Sequence, residues 1–554
     1  MDAVGSGPLE KPSMTALVLG PHLRHVSHHT ATVWVETDRP CEVRVVNQEH
    51  GLDASSRTFT AHGHHYGLVE IDGLAPEARI PYEIVIDGET VWPESGSGFP
   101  PSQIRTLRED GGLRISFGSC RRSPGTVDLF GYDALAAFSD RLRTGGDAVT
   151  WPDVLLMVGD QVYADELTEE MRAFIKGRRA AGEPPDGEVA DYEDYTHLYK
   201  LAWHDDAAVR WLLSTVPTFT VFDDHDIRDD WNTSHTWRKE MWAQPWWKDR
   251  ITGGIGSYWI YQHLGNMSPQ DRASDPTFKA LRTASDTTGD AGAVLDEFAE
   301  KADKQPDSTR WSYAHDWGNT RLIVVDSRCS RLLTPDRRGM LDDDEFDWLD
   351  SQCQGGMDHL LIASSLPYLL PMAIHHAESW NEAVAGGAWG KRAAGVGEKI
   401  RQAADLEHWA AFEKSFRDVA ADVIAVGRGE RGPAPASISF LSGDIHYSYL
   451  ARVTEAGTQS KVSQIVCSPL RNPLIGKFRL ANRIAYSRAA GGPFRLLAKL
   501  AKVPVPPIRW RMTDGPWFHN AIATVELSGR DCNVVWETPW DGGKLNEMGR
   551  ATIV

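Results

Sequence analysis

Between residues 14 and 108, short apolar runs alternate with polar, turn-rich segments. TALVLG, ATVWVE, CEVRVV, GLVEI and PYEIVI are separated by stretches such as DGLAPEARI and IDGET. Alternating, β-branched runs broken by Gly, Pro and Asp predict the strands of a small antiparallel sandwich of fibronectin or immunoglobulin type. After residue 111 the rhythm changes. LRISFGS, DVLLMVGD, PTFTVFDD, RLIVVDS, HLLIASS, ISFLSGD and SQIVCS are continuous apolar runs with longer helix-compatible stretches between them. Strands covered on both faces read this way, so the second part is α/β. The pattern divides the chain into a flexible tail (1–13), a β-sandwich domain (14–110) and a large α/β domain (111–554). Residues 267–312 are polar and aperiodic, and read as an insertion or mobile loop. The acidic stretch Asp342–Asp350 reads as the negatively charged start of a helix.

Composition narrows the classes. The 554 residues are 41% hydrophobic and 24% charged, which is globular. Mean hydropathy is −0.38, and no run approaches the roughly 18 apolar residues of a membrane helix. A net charge of −19 argues against stable nucleic-acid binding. The six cysteines are scattered and read mostly as reduced core residues. The opening MDAVGSGPLEKPSM lacks the basic and apolar regions of an export signal, which predicts a cytoplasmic protein. One segment runs against the overall charge: Arg471 to Arg511 holds ten basic residues and no acidic one. Leu480 and Ile484, then Phe494, Leu497 and Ala501, give it helical apolar spacing, so it reads as an amphipathic helical cover. Its basic face offers a positive rim for anionic substrates or a contact for an anionic membrane surface.

Histidine is dense near the N-terminus, with His62, His64 and His65 inside AHGHHYG. No Cys or carboxylate flanks them at ligand spacing, so a polar loop is the preferred reading over a metal site. The chain has no nucleophile elbow, no P-loop and no H-E-x-x-H. The single G-x-G-x-x-G, Gly427 to Gly432, runs into Pro-Ala-Pro and lacks the helix a dinucleotide needs.

The chemistry sits at strand ends. Cys120 closes ISFGSC. Asp160 closes LLMVGD, with Tyr163 three residues on. Asp224, His225 and Asp226 close FTVFDDHD, and Asp444 and His446 follow SFLSG. An Asp after a strand is commonly a turn residue. Four such ends carrying Cys, Asp, Tyr and His on one sheet edge are instead a donor set able to hold two cations with one Asp bridging. Thiolate and phenolate favour a ferric-like ion; an all-oxygen neighbour favours calcium, magnesium or manganese.

Asp-x-x-Tyr, Asp-Asp-His-Asp and Gly-Asp-Ile-His, in this order, resemble the calcineurin-type metallophosphoesterases. FGSC, GDQVYAD, VFDDHDIRDDWN, VDSR and SGDIHYSY are similar, more narrowly, to the PhoD family of alkaline phosphatases and phosphodiesterases. The resemblance spans about 113–450. It implies a double β-sandwich core flanked by helices, and hydrolysis of phosphate monoesters or diesters at a site with Fe3+ and Ca2+, for which Mn2+, Mg2+ or Zn2+ can substitute. It implies that Asp160 bridges, that Cys120, Tyr163 and His446 complete the iron-like site, and that Asp224 and Asp444 serve the calcium-like one. Arg328 of VDSR matches an arginine placed near the site, able to fork onto phosphate or to form a structural salt bridge. Asp229 and Asp230 fall where relatives often have Asn, and the resemblance implies that they would touch an additional calcium. A metal-activated hydroxide would attack phosphorus in line, with His225 stabilising charge or protonating the leaving oxygen and Asp226 as its orienting partner. The alternatives are a catalytically weak metal-binding protein and an interaction protein acting through its sandwich.

Overall fold

The computed structural model describes residues 15–109, 111–122, 127–146, 149–334, 336–455, 457–474, 476–487 and 490–554. The expected tail at 1–13 lies outside them.

The N-terminal unit is two four-stranded antiparallel sheets. One orders Leu17–Val26, Ala31–Thr37, His64–Ile71 and Phe59–Ala61; the other orders Leu52–Arg57, Glu42–Asn47, Glu83–Ile86 and Glu89–Trp92. Alternation sets the faces: Val43 and Val45 are buried, while Glu42 and Arg44 are exposed. The hairpin between the last two strands turns on Asp87 and Gly88, both at positive φ (53° and 82°), as a two-residue hairpin turn of that hand requires.

The large unit stacks two sheets. The six-stranded sheet runs Thr218–Val221, Val154–Val158, Leu113–Gly118, Ile522–Ser528, Asp531–Trp540 and Lys544–Thr552, the first three parallel. The seven-stranded sheet runs Tyr313–Trp317, Thr320–Val325, His359–Ser364, Ser437–Ser442, Lys461–Val466, Ser448–Glu455 and Arg509–Trp517, with the second to fifth parallel. The period-2 geometry of a strand explains their continuous apolar runs. Leu322, Val324, Leu361, Ala363 and Leu441 join the core shared with Ile115, Phe117 and Leu155 of the other sheet. Their neighbours Ile323, Val325, Leu360, Ile362 and Phe440 face helices through Leu349, Phe416, Val419 and Val423.

The polar stretch 267–312 is largely helical: Pro269–Ser274, Pro276–Thr288 and Gly292–Lys304. Ser268 and Asp275 cap the first two, each followed by proline at the first helical position. The burial stripe is narrow, Leu281 then Leu295 and Ala299, which is why composition alone suggests a loop. Asp342 caps the helix Asp343–Gln352, as the acidic stretch predicts. Gly427 lies at the end of helix Glu413–Arg428, and Gly429 closes it in the left-handed conformation, so GRGERG is a helix terminus. The basic segment carries helices Gly476–Ala485 and Gly491–Leu500 before strand Arg509–Trp517; Arg488 lies outside the described residues. Among the described residues, no helix is long and apolar enough to cross a membrane.

Two of the three histidines of AHGHHYG join the sandwich to the large unit. His62 Nε2 meets Asp296 at 2.9 Å. His64 lies between Glu36 (2.7 Å) and Glu193 (2.9 Å), and His65 bonds Thr60 (2.8 Å). Burial opposes charge on His64, yet its two glutamates raise its pKa to about 9.

Candidate metal centre

The carboxyl ends of parallel strands from both sheets converge on one point. Cys120 follows Leu113–Gly118, Asp160 follows Val154–Val158, and Asp223 to Asp226 follow Thr218–Val221. From the second sheet come Arg328, after Thr320–Val325, and Asp444 and His446, after Ser437–Ser442. The turns approach closely. A Cβ on Gly159 would lie 2.8 Å from the Cβ atoms of Asp223 and Ser365, and one on Gly443 only 1.9 Å from Ser119 Oγ. Only glycine fits either place. Cys120, Asp160, Asp444 and His446 all hold positive φ (56°, 51°, 64° and 58°), a costly conformation for side-chain-bearing residues that clusters at functional sites.

Two donor groups share Asp160. Cys120, Asp160 and His446 place donor atoms within 4.8 Å of one another, and so do Asp160, Asp223 and Asp224. Tyr163 closes the first group: its hydroxyl donates to Asp160 Oδ2 at 3.3 Å and accepts from Asn472 at 3.1 Å. Asp160 Oδ1 and Asp223 Oδ2 are buried without a hydrogen-bond partner. Orphaned carboxylate oxygens are costly, and here both belong to these clusters, so the residues fit a bound cation.

The electrostatics agree. Burial, reinforced by Asp223 and Asp224 though opposed by His225, holds the Asp160 carboxyl well above its ordinary pKa. Burial and the neighbouring Asp160 carboxylate also raise the Cys120 thiol and the Tyr163 phenol well above theirs. His446 is lowered to about 4 by burial, which keeps its imidazole neutral and able to ligate. Without a cation the site is over-supplied with negative charge; metal loading must release protons.

Residues 135–281 match the model of the PhoD-like phosphatase family. Over this stretch the chain is similar to the PhoD-like phosphatases. Residues 14–104 match a second family, a domain of unknown function (DUF7800). A solved structure described as "Structure of PhoD" shares the fold: the alignment covers 99% of this chain and 94% of that one, with a TM-score of 0.59 at 11% identity. The type III pullulan hydrolase from Thermococcus kodakarensis aligns over 97% of this chain and 98% of its own at 10% identity, but the TM-score of 0.14 carries no argument. No curated protein matches.

The sequence-derived set is gathered but its internal pairing changes. Asp224 and Asp444 do not fall into one donor cluster among the described residues; both face the Arg328 guanidinium, at 3.1 and 3.9 Å. Asp223, absent from the expected set, joins Asp160 and Asp224 instead. Arg328 is fully buried and also pairs with Glu407 (2.6 Å) and with Asp223. It is a structural counter-charge engaged by carboxylates, which leaves no free fork for phosphate. Asp226 is a second correction: its carboxylate accepts the backbone amides of Asp160 (3.0 Å), Gln161 (3.1 Å), Val162 (3.2 Å) and Asp223 (2.8 Å). It staples two site loops together. The partner of His225 is Asp165, which accepts from Nδ1 at 2.9 Å. Asp229 lies beside His225 at 3.8 Å, and the Asp230 amide donates to Asp224 at 2.9 Å.

Sequence reasoning missed five residues. Asp165 and Asp223 sit within the quoted motifs and were recoverable. Glu378, Glu407 and His408 were not: they arrive from a helix and a loop far from any strand end. His408 spans Asp444 (Nε2, 2.9 Å) and Glu378 (Nδ1, 2.7 Å). Asp160, Asp224, His225, Asp444 and His446 line a cavity of about 850 Å³ whose other end is apolar, around Ile374, Phe478 and Phe494.

Proposed function

We propose that this chain hydrolyses phosphate esters at a dinuclear centre. Cys120, Asp160, Tyr163 and His446 would hold an Fe3+-like ion. Asp160, Asp223 and Asp224 would hold a hard cation such as Ca2+, with Asp444 at its edge. The observation that carries the reading is the pair of donor clusters sharing Asp160, with unpartnered oxygens on Asp160 and Asp223. Bound cations would supply Lewis acidity, activating a water and neutralising phosphoryl oxygens. The chain's own groups supply the rest. Asp165 fixes the His225 ring through Nδ1 and, against burial, raises its pKa well above the ordinary value. Nε2 of a protonated His225 is then suited to deliver a proton to the leaving oxygen. Arg328 holds Asp223, Asp224 and Glu407 in place, and Asp226 locks the loops of Asp160 and Asp223 into register.

Elemental analysis paired with a soluble phosphomonoester and phosphodiester panel tests this. The expected result is stoichiometric metal with chelator-sensitive hydrolysis at neutral to alkaline pH, where the donors are deprotonated. Cys120→Ser should lose the iron-like metal and most activity. Full activity in a metal-stripped protein, or metal without hydrolysis of any ester, overturns the reading.

A further inference from the structure

The cavity that the donor cluster opens into has a second, apolar end, and the helices forming it are not covered. No residue of helix Gly476–Ala485 is buried, although Phe478, Ala481 and Ile484 fall on one face of it and line the cavity. Tyr486, just after that helix, ties it down through a 2.6 Å bond to Asp514 O. Phe494 of the following helix lines the same cavity and is 37% exposed. Further out, Leu480, Leu496, Leu500 and Val505 are each more than half exposed. Trp389, 44% exposed, joins them by donating its indole N–H to Leu500 O at 3.4 Å. Among the described residues, eight of the twelve exposed large hydrophobic side chains belong to this one patch. A concentration of this kind marks an interaction site, because soluble proteins scatter such residues singly.

The charge around the patch says what covers it. The described stretch from Lys477 to Lys502 carries Lys477, Arg479, Arg483, Arg495, Lys499 and Lys502 and no acidic residue, within a chain of −19. Exposed leucines and phenylalanines, an indole and a purely basic polar face are the combination that lies in an anionic lipid–water interface. The apolar patch is continuous with the cavity floor that reaches Asp160 and His225.

Resting on the phosphoesterase reading above, we propose that the substrate is a lipid phosphoester drawn from an anionic lipid surface. Its hydrocarbon chain would lie along Phe478, Ile484 and Phe494 while its phosphate reaches the metal cluster. The two basic helices would be the surface that docks. The reaction adds water across the ester P–O bond: the water oxygen joins phosphorus, the P–O bond to the lipid alcohol breaks, and a proton goes to the leaving oxygen.

Flotation with vesicles of pure phosphatidylcholine or of phosphatidylcholine with phosphatidylglycerol, combined with kinetics, tests the proposal on the metal-loaded full chain. Wild type should float with the phosphatidylglycerol vesicles and much less with the neutral ones, and added salt should weaken the binding. Leu480→Asp/Leu496→Asp/Leu500→Asp, which leaves the cavity lining untouched, should bind those vesicles at least ten-fold more weakly. It should hydrolyse a soluble nitrophenyl phosphoester within about two-fold of wild type, which also shows that it folds. kcat/KM on alkyl phosphoesters should rise with chain length. No binding to anionic vesicles, or a rate indifferent to chain length, overturns the proposal. So does a stable protein partner on this face that excludes vesicles. If vesicle binding persists while no ester of any kind is hydrolysed, the phosphoesterase reading has failed and the docking surface stands.

Discussion

Two regions of this chain concentrate histidine and carboxylate, and they use them in opposite ways. At the sandwich junction each histidine of AHGHHYG has a matched partner. His64 has two glutamates, His62 has Asp296, and the Asp290 carboxylate caps the backbone amides of His62 and Gly63. At the strand ends the acids outnumber the bases. Asp160, Asp223 and Asp224 crowd together with their pKa values raised by burial, while Arg328 engages four carboxylates at once. The junction is electrostatically complete as it stands; the strand-end cluster is complete only with added positive charge. Residue type does not separate the two. What separates them is whether the buried oxygens are satisfied.

The sharpest way to break this contrast is Asp160→Asn. If Asp160 is shared by two cations as proposed, kcat/KM should fall by about 10³-fold or more. Because the carboxylate is buried among like charges, the metal-free variant should be as stable as metal-free wild type, or more so. Thermal unfolding in chelator checks the second half. A large loss of stability would mean that Asp160 is held as a structural partner, like the acids of the junction, and the contrast would fail.

A second comparison lies inside the site. His225→Ala should fold and retain metal yet lose about 10²–10⁴-fold in rate. Asp165→Asn should lose less, on the order of ten-fold, with the larger deficit on esters that have poor leaving groups, because a mis-held imidazole still donates a proton. Asp226→Ala should behave differently: it strands four backbone amides, so unfolding should be easier by about 2–4 kcal/mol. Rates measured on activated and unactivated esters, alongside denaturant melts, separate the three roles. If Asp226→Ala is stable and slow while Asp165→Asn is fast, the orienting role returns to Asp226.

How much of this was legible in sequence follows from the same distinction. The strands were, because both faces of the central ones are apolar and those of the sandwich alternate. The gathering of Cys120, Asp160, Tyr163, Asp224, His225, Asp444 and His446 in one place was, because they stand at or just after the ends of apolar runs and strand ends meet at one edge. Pairing was not. Neighbouring residues in a tight turn point in different directions, so DDHD does not tell that Asp223 faces the cluster, Asp226 faces backward into the loop amides and His225 turns to Asp165. Glu407 and His408 had no signal, since they reach the site over the top from the segment before helix Glu413–Arg428. The polar helices from 269 to 304 were hidden by composition, although Ser268-Pro and Asp275-Pro mark their starts.

The smallest expected effect belongs to the junction, and its sign follows from His64. The imidazolium gains Glu36 and Glu193 in the folded chain, which raise its pKa from an ordinary 6.5 to about 9 despite burial. A raised folded-state pKa means that the folded chain binds the proton more tightly. The stabilisation is therefore fully present below about pH 6.5 and is lost as pH rises through 9. The shift corresponds to about 3 kcal/mol at most, and the half-exposed Glu193 side, screened by solvent, brings the expectation down to about 2 kcal/mol. His64→Ala should therefore be less stable than wild type by about that much at pH 6, with the gap narrowing steadily between pH 6.5 and 9. Denaturant melts of both proteins across that range measure it, and chelator keeps the metal site out of the difference. A gap that stays constant with pH would mean that His64 contributes packing against Tyr66 and Tyr192 rather than charge, and the junction would no longer be the electrostatically complete half of the comparison.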